Sequence, residues 1–83
     1  MTQPAPISPN DTVIGKIRIT DDQQLHLRRR ELGGEIPPFL DLAQFNTQGG
    51  GYRLATPFPD DPRVVRQIIS LLQHHLETTH GNA

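Results

Sequence analysis

The sequence predicts an α+β fold, a four-stranded antiparallel curved sheet followed by one C-terminal amphipathic helix in the order ββββα. Three observations predict it. Four short segments alternate apolar and polar side chains, clusters of turn-forming residues separate them, and the one run with helical spacing comes last. Strands segregated from a helix in this way imply an antiparallel sheet with the helix over one face.

The first segment, TVIGKIRIT (residues 12–20), is rich in β-branched residues. Its alternation sets Val13, Gly15, Ile17 and Ile19 on one side and Ile14, Lys16, Arg18 and Thr20 on the other. DDQQ then turns the chain, so the next segment forms an antiparallel hairpin with the first. In LHLRRREL (25–32), Leu25, Leu27, Arg29 and Glu31 oppose His26, Arg28, Arg30 and Leu32. Gly33 and Gly34 open a second turn, GGEIPP. In PFLDLAQFN (38–46), Phe39, Asp41, Ala43 and Phe45 oppose Leu40, Leu42 and Gln44. After the loop TQGGG, YRLATPF (52–58) sets Tyr52, Leu54 and Thr56 on one side. Pro57 cannot donate to a ladder, so this strand lies at an edge or ends there.

The helix is read from PDDPRVVRQIISLLQHHLETT (59–79). Asp60 or Asp61 suits the cap, and Pro62 the first helical position. Val65, Ile68, Ile69, Leu72 and Leu76 keep helical spacing, and Val64 and Leu71 widen the stripe. So broad a stripe predicts a homodimer contact through Val64, Ile68, Leu71, Leu72 and His75. The alternative is a helix deeply embedded in a curved sheet.

With 83 residues the chain holds one domain, expected over residues 12–78 between a disordered arm at 1–11 and a disordered tail at 79–83. A domain this small has little core of its own, and zero Cys excludes disulfides and thiolate zinc sites. There is no apolar run near the roughly 20 residues of a membrane span and no signal-peptide pattern at the N-terminus, so a soluble cytoplasmic protein is expected. A net charge of -1 argues against nonspecific polyanion binding by the chain as a whole, but leaves room for a local basic patch.

Catalysis is not expected. Ser8 lies in the arm, Ser70 lies in the helix, and no nucleophile elbow, P-loop or dinucleotide fingerprint occurs. Asp41 reads as a structural partner for an arginine on a neighbouring strand, with a general base as the alternative. His26, His74, His75 and His80 lack metal-ligand spacing, so neither a metal nor a cofactor is expected. Five of the eight Lys and Arg residues fall in the first hairpin. If its register aligns the faces, Lys16, Arg18, Arg28 and Arg30 form one positive strip interrupted by His26. Arg29 falls on the other face, within reach of Asp41 or Glu31. Phosphates need charge and bases offer a π-face, so such a strip beside aromatic rings suits single-stranded nucleic acid. The candidate set is Lys16, Arg18, His26, Arg28, Arg30, Phe45, Tyr52 and Arg53, with Phe39 as a further candidate ring. Two competing readings are a solvated strand face over core aromatics, and a protein-interaction or inhibitor module that docks a partner through its sheet edge or Gly loop.

From Arg28–Arg30 through Gly33 and Gly34 to Leu40-Asp41-Leu42 and Phe45, the pattern resembles the single-stranded-DNA-binding transcriptional coactivators called positive cofactor four and their small bacterial and phage relatives. A basic strand, a Gly turn and a strand with Asp between aliphatics are followed here, as there, by a Gly-rich loop, a short strand and an amphipathic helix. The resemblance covers residues 12–76. Ala43 stands where the family usually has Arg, TQGGG replaces a lysine-rich loop, and the helix has no Trp. The resemblance implies a transcription-regulatory dimer formed through the helices, whose curved sheets grip single strands of DNA.

Overall fold

The computed structural model describes residues 11–79. The expected tail at 79–83 lies outside them except for Thr79, and the expected arm except for Asp11. The elements are β1 (Thr12–Arg18), β2 (Gln23–Arg30), β3 (Phe39–Asn46), β4 (Tyr52–Pro59) and α1 (Pro62–Thr79). The four strands form one curved antiparallel sheet in the order β1-β2-β3-β4, so the fold class is the one expected.

Local chemistry sets the boundaries. The first hairpin turns two residues earlier than expected, between Arg18 and Gln23, with the backbone N–H groups of Ile19 and Thr20 both donating to the Gln23 carbonyl. Gly33 and Gly34 both take positive φ, at 82° and 64°, which frees the chain to leave β2. Asp61 caps α1, its Oδ1 accepting the Arg63 N–H at 2.9 Å. Hydrogen bonds from Arg63, first from its side chain and then from its backbone, hold the Asp61 carboxyl below its ordinary value. Asp60, the other candidate cap, lies 3.6 Å from Arg29 instead.

Two irregularities reverse the expected side-chain parity. A shift between Val13 and Gly15 pairs Val13 with Arg28 and Gly15 with Leu27, so these two β1 residues face opposite ways. A second shift, between Leu42 and Gln44, is taken up in β4 around Leu54, whose φ is 52°. Tyr52 and Thr56 consequently lie on opposite faces of the sheet rather than together.

The helix departs from expectation most. Among the described elements it packs against β4 alone, and none of its residues is buried. It does not cover a face of the sheet. The link from β4 is Asp60 and Asp61 between Pro59 and Pro62, and the fixed φ of both prolines limits how the chain turns back. The apolar face, with Ile17, Leu25, Leu27, Leu40, Leu42 and Phe58, therefore buries only Leu40 fully.

Candidate nucleic-acid interface

Directly paired residues of an antiparallel sheet share a face, so the register assigns the site. Lys16 pairs with His26 and Arg18 with Gln24. His26 pairs with Ala43, Arg28 with Asp41, Arg30 with Phe39, and Phe45 with Tyr52. The register that the basic strip requires is present. Lys16, Arg18, His26, Arg28, Arg30, Phe45 and Tyr52 share one face. Arg53 pairs with Gln44 and lies on the other face, because the shift opposite Leu42 and Gln44 inverts β4.

The arginines do not form a free strip. Arg28 and Asp41, each 1% exposed, make a bidentate pair: Nε donates to Oδ1 at 2.9 Å and Nη2 to Oδ2 at 2.7 Å. Arg30 Nη1 lies 3.7 Å from the same Oδ2, and Arg30 Nε donates to Asp11 Oδ2 at 3.1 Å. The Asp11 carboxylate also accepts the Glu31 N–H. Two guanidiniums are thus balanced by two carboxylates, which meets the condition for burying charge. Arg28 lies over the Tyr52 ring, 4.0 Å from its centroid, and its Nη1 has no hydrogen-bond partner. Asp41 is the structural carboxylate expected, but its partner is Arg28. Arg29 pairs with Glu31 across the turn out of β2.

Beside this ionic lattice lies an aromatic one. His26 stacks on Phe45 with ring centroids 4.7 Å apart and meets Tyr52 edge-on at 5.2 Å. Gln24 Oε1 can only accept, so His26 Nε2, 2.8 Å away, carries the proton. His26 Nδ1 then accepts from the Tyr52 hydroxyl at 2.9 Å. Burial, and after it the charges of Lys16 and Arg28, hold His26 below its ordinary value and keep it neutral. Ala43, fully buried opposite His26, offers a methyl group where a longer side chain would meet the rings.

Of the eight candidates, Lys16, Arg18 and Arg53 are exposed, Phe45 is half-buried, and His26, Arg28, Arg30 and Tyr52 are buried. Arg18 pairs with Asp21 at the surface. Sequence reasoning missed Gln24, which fixes the His26 tautomer, and Asp11, which it placed in the arm. The even spacing of Gln24 and His26 was a usable signal; nothing local marks Asp11. On α1, Val64 and Ile68 are half-buried, while Leu71, Leu72 and His75 are exposed. At 100° per residue these five and Val65, Ile69 and Leu76 occupy about 160° of the helix surface. No group of metal-ligating side chains occurs among the described residues, and no helix among them is long and apolar enough to cross a membrane. No family model, curated protein or solved structure matches the chain.

Proposed function

We propose that the chain is a homodimeric binder of single-stranded DNA or RNA, an accessory or transcription-regulatory protein of the positive-cofactor-four type, acting in the cytoplasm by binding and not by catalysis. The observation that carries this reading is the position of Lys16 and Arg18. They are exposed, two residues apart on edge strand β1, and share a face with the Phe45, His26 and Tyr52 rings. That spacing sets their Cα atoms about 6.8 Å apart along the strand, so both can follow one phosphate backbone. Phe45 is the half-buried ring that offers a base a surface. Arg28 and Arg30 serve underneath, as the balanced lattice that fixes the strands. The apolar stripe of α1, without a cover from its own sheet, supports the homodimer.

Fluorescence anisotropy with a labelled single-stranded oligonucleotide over a range of salt tests the proposal. Affinity should fall steeply with salt, by about 0.7 in log-log slope for each phosphate contacted. A flat response, or no binding at low salt, overturns it. The second reading, an extended protein segment docked at the sheet edge, is supported by β1, which is exposed along its whole length, whereas Pro57 and Pro59 block β4.

A further inference from the structure

β1 is an edge of the sheet, and one hydrogen bond shows which of its backbone groups face outward. The Ile19 N–H donates to the Gln23 carbonyl across the first hairpin. Backbone groups of an antiparallel strand alternate in direction, so Ile17 and Gly15, opposite Leu25 and Leu27, turn inward with Ile19. The N–H and C=O of Lys16 and Arg18 therefore point away from β2. Among the described residues no further strand pairs with them. The two residues that carry the exposed cations are thus the two that offer an open ladder. The opposite edge is interrupted: Pro57 and Pro59 lack an N–H, and the positive φ of Leu54 breaks the extended run of β4.

We propose that the β1 edge pairs with an extended segment of another protein in which acidic residues alternate with aliphatic ones. The proposal deepens the sheet-edge reading given above and rests on it. Directly opposed residues share a face, so side chains set against Lys16 and Arg18 lie on their face of the sheet, where two carboxylates complement the two cations. Arg18 leaves its pair with Asp21 at small cost, because both side chains of that pair are largely exposed. The intervening side chains of the segment fall on the aliphatic face, beside the largely exposed Ile17. Gly15 leaves room for them there, since nothing lies within 4 Å of the position its Cβ would take.

A second copy of the chain is a poor occupant. Antiparallel pairing of β1 with itself about Ile17 sets Lys16 of each copy against Arg18 of the other, and like charges directly opposed are destabilising. The charges that repel a second copy thereby select an acidic strand.

NMR titration of the parent with a short peptide alternating valine and glutamate tests the proposal. The amide signals of Lys16 and Arg18 should shift, and their exchange with solvent should slow. A peptide of the same composition with its glutamates adjacent should bind about tenfold more weakly. Lys16→Glu/Arg18→Glu should reverse the preference, from the glutamate peptide to one with lysine in its place. Binding that leaves amide exchange at Lys16 and Arg18 unchanged overturns the proposal, since the peptide then sits on the cations without joining the sheet. So does a charge-reversed protein that keeps the parent's preference. A parent that binds neither peptide removes the sheet-edge reading and the proposal with it; if that parent binds a single-stranded oligonucleotide, β1 belongs to nucleic acid.

Discussion

The two faces of this sheet follow opposite rules of burial. On the face built from charged and polar residues, His26, Arg28, Arg30 and Asp41 are all buried, and none of the described elements packs over that face as a second layer. The face built from aliphatic residues stays open, and Ile17 on it is 63% exposed. Among the described residues, the neighbours of these buried side chains are cross-strand partners on the curved sheet. Long side chains that pair across strands shield one another, whereas aliphatic side chains need a partner layer that α1 does not provide. The buried ion pair adds little net stability, since desolvation offsets much of its attraction. It fixes register. A slip of one residue between β2 and β3 would move Arg28 to the aliphatic face and strand Asp41.

The largest expected effect breaks the closed face. Asp41→Ala leaves Arg28 buried without its carboxylate and should cost about 3–5 kcal/mol in urea unfolding. A loss no greater than that of an exposed substitution would show the pair to be incidental. Leu40→Ala, on the open face, should cost about 2 kcal/mol, the low end for a buried leucine, because only one side of it is packed. If Leu40 costs more than Asp41, the contrast between the faces fails.

Assembly tests the open face without touching the closed one. Sedimentation at micromolar concentration should show the parent as a dimer and Leu71→Glu as a 9.3 kDa monomer, since Leu71 is 69% exposed on its own chain. A monomeric parent would remove the homodimer and leave the stripe on α1 without an explanation.

A smaller effect concerns His26. Its folded-state pKa lies below its unfolded value of 6.5, so between the two the unfolded chain binds a proton that the folded chain refuses. Stability is complete above about 6.5 and falls as pH drops below it, by at most about 1.4 kcal/mol per pH unit. Urea midpoints at pH 7.5 and 5.5 should differ in the parent, and less so in His26→Gln. Asp61 works in another window: its lowered pKa stabilises above 3.8 and is lost only in stronger acid.

Much of the fold was legible because alternation and turn residues carry it. Pro57 placed β4 at an edge, Pro62 marked the helix start, and the isolation of Asp41 between leucines pointed to an arginine across the ladder. The parity reversals were not legible. A period of two continues through Val13–Gly15 and through Leu54, and only the backbone geometry shows that the faces exchange there. Arg53 directly follows Tyr52, so alternation alone already separates it from that ring, and the register bears this out. The breadth of the α1 stripe does not say what packs against it, and in the structure the chain's own sheet does not cover it. Counting arginines also misled: in Arg28–Arg30 the outer two are inward and balanced, while the exposed cations of that face are on β1.

The contrast between exposed and internal cations is tested most directly by comparing the salt dependence of single-strand binding for the parent, Lys16→Ala/Arg18→Ala and Arg53→Ala. The double variant should bind more weakly, with a salt slope shallower by about 1.4, the loss of two phosphate contacts. Arg53→Ala, on the opposite face, should match the parent. Equal slopes for all three proteins, or a loss confined to Arg53→Ala, would contradict the assignment of the binding surface to the closed face of the sheet.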